Sequence, residues 1–275
     1  MMTLARNLFA AVGFAMLVGG GAPAQETTRH PLEIRVAAEG WGNADPDDIR
    51  KVLESAGRAL LDQLPDLKVP TIDVSRSRTG PITLFQRGPG GEIRIRLDVE
   101  DRHWAQFSFQ FGHEICHVVC GCVDDVNLDL WFEESICETA SLYVLGRMAE
   151  EWKVRPPYST WKDYAPALQK YRDERLAQGK LPEDTSLAEW FREKKAALRK
   201  DPHQRPLNLV AGSAMLPNFE AAPEHWGALP FLNTIRGGAM RSFPGYLGDW
   251  LRSAPEKHRE FIAALAMRFG TPADR

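Results

Sequence analysis

His113, Glu114 and His117 stand in the order His-Glu-x-x-His, a spacing suited to holding a metal ion beside a general base. Four residues of α-helix turn through roughly 400°, so the two imidazoles project from one face about one turn apart. That separation matches two neighbouring vertices of a zinc tetrahedron. Glu114 sits beside the same face, where its carboxylate can take a proton from a water on the metal without occupying a ligand position. Each polar residue of the pentapeptide has a role in metal-assisted hydrolysis, and Zn2+ is the default ion for such a ligand set.

A site of this kind needs a third protein ligand. Candidates lie in Trp131 to Ser141, which opens a second amphipathic helical stretch continuing to about Trp152. Glu133, Glu134 and Glu138 fall within it, and the neighbouring Trp131, Phe132 and Ile136 set them apart from a solvated helix face. The segment around His113 is itself predicted to be helical. Asp101 is placed to cap a helix running through Phe111 into the motif, and Gly121 stands where such a helix stops.

Trp131-Phe132-Glu133-Glu134-Ser135 resembles the Trp-Leu-Asn-Glu-Gly stretch with which gluzincin peptidases, the clan of thermolysin and the zinc aminopeptidases, supply their third ligand. Aligned on the tryptophan, the resemblance implies Glu134 as that ligand, with Glu133 the alternative. It implies that Glu138, one turn on, accepts the free imidazole N–H of a liganding histidine. The clan more often uses Asp at that place. The implied fold is α+β and zincin-like: a small mixed β-sheet lobe with helices, followed by a mainly helical lobe. A peptide or protein would be the substrate.

The clan usually adds a Tyr or His that stabilises the developing oxyanion. Tyr158, Tyr164, Tyr171, His203, His225 and Tyr246 are downstream candidates, and no motif chooses among them. The Gly-Ala-Met-Glu-Asn segment of zinc aminopeptidases and the Asn-Ala edge-strand motif of thermolysin are both missing. The resemblance therefore covers residues 92 to 145 and reaches the clan, not a named subfamily. The competing function is a metal-stabilised binding protein that keeps the fold without catalysis. Retention of Glu114 argues against it, because a structural zinc has no use for a base.

The 275 residues, 44% of them hydrophobic, suffice for a sizeable core, and a net charge of −3 gives no electrostatic footprint for nucleic acid or an anionic membrane. Arg6, the apolar run Leu8 to Val18 and Ala22-Pro23-Ala24 read as a signal peptide over residues 1–24, with an uncleaved anchor as the competing reading. The mature chain is then periplasmic or secreted, without membrane insertion. Residues 25–121 are expected to form the α/β lobe ending in the metal helix, and 122–275 the mainly helical lobe.

Export also governs the four cysteines, Cys116, Cys120, Cys122 and Cys137, which lie in or near the two proposed metal helices. In an oxidising compartment they are expected to pair, with a bridge from the Cys116 to Cys122 segment to Cys137 as the favoured arrangement. Buried free thiols are the simpler alternative.

Upstream, Leu32, Ile34 and Val36 alternate as a strand, and Asp45-Pro46-Asp47-Asp48 starts a helix with one apolar face at Ile49, Val52, Leu53, Ala56, Leu60 and Leu64. Short strands are predicted over 71–75 and 82–86. Gly88-Pro89-Gly90-Gly91 then turns into an alternating strand over 92–100. By the resemblance, that last strand lies near the sheet edge and borders the peptide cleft. Downstream, helices are predicted over 161–176, 186–200, 207–219, 223–235 and 255–269, with the large aromatic residues among them read as core. Asp125 to Asp129 lacks the glycine and the final acid of a calcium loop and is read as a connector capping the next helix.

Overall fold

The computed structural model describes residues 31–121, 127–236, 238 and 241–272. The proposed signal peptide, Cys122, Asp125 and Val126 lie outside the described residues. The fold is α+β: one small mixed sheet with helices packed on and after it.

Strands β1 (Ile34–Val36), β2 (Ile72–Arg76), β3 (Ile82–Leu84) and β4 (Ile93–Leu97) form one sheet in the order β1-β2-β4-β3. β1 and β4 run parallel to β2, whereas β3 pairs antiparallel with β4, setting Thr83 opposite Ile95. Helix α1 (Pro46–Leu61) links the parallel pair β1 and β2, as a parallel connection requires. Asp45 caps α1 by accepting the Asp47 N–H at 2.8 Å, and Ile49, Val52, Leu53, Ala56 and Leu60 are fully buried on its inner face.

The position of the 92–100 strand departs from expectation. β4 is interior, flanked by β2 and β3, and the edge strands are β1 and β3. The chain turns at Gly91 (φ 89°), where the Gly88 N–H bonds the Glu92 carbonyl at 2.9 Å. That hairpin folds β3 back along the outer side of β4 and makes β3 the outermost strand on that side.

Helix α2 (Trp104–Val119) carries the His-Glu-x-x-His motif. Asp101 does not cap it. Asp101 adopts φ 56° and its carboxylate accepts the Asn43 N–H at 2.8 Å, while His103 takes the cap position without a side-chain bond. Gly121 ends the helix as expected, at φ 98°, with its N–H on the Val118 carbonyl at 3.1 Å.

Helix α3 (Leu130–Trp152) packs along α2. Contact is close at Gly112, where a Cβ would lie 3.2 Å from Ser141 Cα, and the Ser141 hydroxyl donates to the Phe109 carbonyl at 2.8 Å. Asp129 precedes α3 without capping it through its side chain. Its carboxylate instead accepts the Trp131 indole N–H at 3.2 Å and lies 3.2 Å from the Arg199 guanidinium.

The remaining helices are α4 (Ala165–Gln178), α5 (Leu187–Lys200), α6 (Arg205–Ala221), α7 (Phe243–Ser253) and α8 (Glu256–Arg268). Ser159–Tyr164 and Pro223–Phe231 are 3-10 segments where α-helix was expected, the latter carrying Pro223, Gly227 and Pro230. α7 was not anticipated. Trp131 and Phe132 at the start of α3 pack into Phe191, Phe243 and Phe269, with ring centroids 4.9 to 5.8 Å apart. Each such buried ring stabilises the fold by about 1.5–3 kcal/mol, and together they fix the end of α3 that carries the acids. Among the described residues, no helix is long and apolar enough to cross a membrane.

Candidate metal centre

The two imidazoles of α2 and the acids of α3 face one another across the α2–α3 contact. His113 Nε2 lies 3.2 Å from Glu134 Oε2, and His117 Nε2 lies 3.6 Å from Glu134 Oε1. One carboxylate thus spans both nitrogens. Burial opposes protonation of His113 and His117. For His113 the hydrogen bond and charge of Glu134 outweigh it, and for His117 the hydrogen bond of Glu133 and the charge of Glu134 do, so both pKa values are raised. Burial would raise Glu134, but the hydrogen bond from His113 and the positive field of His117 hold it at about 2.

The far nitrogens also meet acids. His117 Nδ1 lies 2.8 Å from Glu133 Oε1, and His113 Nδ1 lies 3.8 Å from Glu138 Oε1. Glu138 is 1% exposed, its Oε2 has no hydrogen-bond partner, and burial raises its pKa. Glu133 therefore touches a histidine from the side away from Glu134, and the structure brings all three sequence-predicted acids to the histidines in different places.

His113, His117 and Cys137 also form a group that could hold a metal ion, offering ligand atoms within 4.8 Å of one another. Cys137 is fully buried beside Cys116 and Cys120. The expected disulfide is absent among the described residues: Cys116, Cys120 and Cys137 are free, buried thiols packed as small apolar side chains between the helices.

The Glu134 side of the histidines opens into a cleft of about 290 Å³. It is lined by His113, Glu114, His117, Glu133 and Glu134 of the two helices, by Ile82, Thr83 and Phe85 of β3 and its flank, and by His203 and Arg205. Glu114 is 3% exposed, and its Oε2 accepts the Thr83 hydroxyl at 2.8 Å. Ile82 and Phe85 are exposed apolar side chains of this lining.

Of the six oxyanion candidates, His203 alone lines this cleft, with Nε2 3.7 Å from Glu134 Oε1. Tyr246 is buried and donates to Asn233, Tyr164 accepts the Ala105 N–H, and His225 stacks on Phe261. Thr83, Asn233 and Arg205 were not foreseen. Thr83 lies on a predicted strand, but nothing local to it indicates that it faces Glu114. Asn233 reaches Glu133 across 100 residues of chain.

No protein-family model matches the chain, and no curated protein or solved structure does.

Proposed function

We propose that this chain is an exported zinc-dependent peptidase of gluzincin type, with His113, His117 and Glu134 as metal ligands and Glu114 as general base. The observation that carries the reading is the Glu134 carboxylate lying 3.2 and 3.6 Å from the two Nε2 atoms in a cleft that Glu114 also lines. Two imidazoles and a carboxylate are the donor set of a catalytic zinc, and a centre on this side keeps one face open to substrate. A metal drawn toward Cys137 would instead lie among buried thiols, away from the cleft lining. The order of a mixed sheet with an antiparallel edge strand, a metal helix and a second acidic helix favours a zincin-like fold.

When bound, zinc lowers the pKa of a coordinated water and polarises the scissile carbonyl. The chain supplies the rest. Glu114 takes the proton of the attacking water and returns it to the leaving amine. Thr83 holds one oxygen of that carboxylate and leaves the other for the water. Among the described residues β3 has no strand on its outer side, so its backbone groups can pair with an extended peptide laid along the cleft. From the cleft lining, His203 is placed to donate to the developing oxyanion, with Arg205 as a second donor. Glu133 and Glu138 orient the imidazoles. The leader read in residues 1–24 supports export to the periplasm or beyond.

The deciding experiment measures metal content of the purified chain alongside turnover of a quenched peptide library. About one zinc per chain and measurable hydrolysis are expected for a site of this type. A chain that retains zinc but cleaves nothing would support the metal-stabilised binding protein instead.

A further inference from the structure

Four side chains from three separated parts of the sequence form one hydrogen-bond chain that ends on a metal-helix histidine. The Tyr246 hydroxyl, on α7, donates to Asn233 Oδ1 at 2.8 Å. Asn233 Nδ2 donates to Glu133 Oε2 at 2.7 Å and to the carbonyl of Cys120, the last residue of the α2 turn, at 3.0 Å. The other oxygen of Glu133 meets His117 Nδ1 at 2.8 Å.

The amide orientation follows from its partners. One end of Asn233 faces a carboxylate and a carbonyl, which only accept, and the other faces a phenol that can donate. The phenol has little freedom to turn elsewhere. Tyr246 is fully buried, with Phe132 at 6.2 Å edge to face and the Arg241 guanidinium 4.4 Å from its ring centre.

We propose that Asn233 and Tyr246 are positioning residues for the metal centre, locking Glu133 so that His117 keeps its proton on Nδ1 and presents Nε2 to the ion. The inference rests on the zinc reading above. A liganding imidazole must be neutral at its binding nitrogen, and the bond made by the other nitrogen decides which tautomer and ring angle it adopts. Glu133 alone has rotatable bonds that would let it swing into the cleft and compete as a ligand. Tethered at both oxygens, it is held on the Nδ1 side of His117. His113 has no equivalent: its acid, Glu138, is 3.8 Å away and has one oxygen without a partner. The two imidazoles are thus held unequally, His117 firmly through α7 and His113 loosely.

The test uses the full chain, purified as wild type, Tyr246→Phe and Asn233→Leu. Zinc affinity is measured by chelator competition, the absorption spectrum is recorded after cobalt replacement, and the melting temperature of each metal-free form is taken separately. Asn233→Leu is expected to weaken zinc binding by about 10- to 100-fold, the usual effect of losing an outer partner of a ligand. Tyr246→Phe, which removes one oxygen, is expected to weaken it by about two- to tenfold, the worth of one hydrogen bond. Both are expected to alter the cobalt spectrum. If Asn233→Leu does not fold, Tyr246→Phe decides. Zinc affinities and cobalt spectra equal to wild type, with only the metal-free melting temperature lowered, would overturn the inference and leave these residues as packing. Peptide turnover separates this from the parent reading: variants that show these affinity losses, beside a wild type that binds zinc yet cleaves nothing, defeat the peptidase and leave the positioning role standing.

Discussion

The hydroxyl of Thr83 lies 2.8 Å from Glu114 Oε2 and 3.1 Å from the Glu114 carbonyl, so the edge strand is tied to the metal helix at the base itself. Under the proposed function, the strand that would border a peptide and the carboxylate that would move its protons are thereby joined through one oxygen. A shift of β3 away from α2 would disturb the base and the peptide-binding edge together.

Glu114→Gln is expected to keep zinc and lose about 10²–10⁴-fold in kcat, the usual contribution of a positioned base. Thr83→Val keeps the shape but removes the donor. Its kcat is expected to fall by about tenfold, the scale of one charge-assisted hydrogen bond, with unchanged zinc content. Parallel metal analysis and steady-state kinetics check both. A Glu114→Gln protein that hydrolyses at the wild-type rate removes Glu114 from the mechanism.

Glu134 and Cys137 offer different third ligands, and substitution separates them. Glu134→Gln is expected to lose most of the bound zinc after dialysis, because a neutral amide is a far poorer ligand than a carboxylate. Cys137→Ala is expected to retain zinc and to cost about 1 kcal/mol or a little more in stability, as truncation of a small buried side chain does. The reverse pattern would place the ion with the thiol.

The charged cluster makes the stability of metal-free protein depend on pH in a definite direction. Raised values for His113 and His117 stabilise the fold fully below the ordinary 6.5, and this stabilisation is lost as pH rises through the raised values. Glu134, at about 2 against an ordinary 4.5, contributes above 4.5 and loses its contribution as pH falls toward 2. Glu138, raised by burial, acts in the opposite sense to Glu134. Between about pH 6 and pH 9 the melting temperature in EDTA is therefore expected to fall, while the increment added by zinc grows because its ligands must be deprotonated. Thermal melts across that range with and without zinc are the check, and a rising EDTA curve would contradict the assignment.

Buried thiols predict a specific labelling pattern. Without reductant, Cys116, Cys120 and Cys137 are expected to resist alkylation in the native protein and to react fully once it is unfolded, as read by intact mass and peptide mapping. Protection that persists after unfolding, and yields only to a reductant, would show a bridge.

How much of this was legible in the sequence depended on how far each signal reached along the chain. The i, i+4 spacing of His113 and His117 and the aromatic start of α3 are local, and both helices stand close to where the pattern put them. Asp45-Pro46 began α1 as read because capping needs only neighbours. Asp101 had the same local credentials and failed, because Asn43 offered it a partner from a distant loop. The edge position went to β3, since the alternation of Ile93, Ile95 and Leu97 fixes which face of a strand is buried but not which strand lies beside it. α7 was obscured by Pro244, Gly245 and Gly248, although Ser242 caps it. Asn233 left no local signature at all, because its partners come from three other elements.

Gly112 precedes the first histidine directly, and a methyl group there would press on Ser141 at 3.2 Å. The two helices therefore meet at backbone distance one residue from His113, and the gap between imidazoles and acids follows from that approach. A single added carbon at Gly112 would act as a wedge, enlarging the ligand cage without touching any ligand. The spacing of imidazoles and acids thus rests in part on a hydrogen atom, at a residue with no donor of its own.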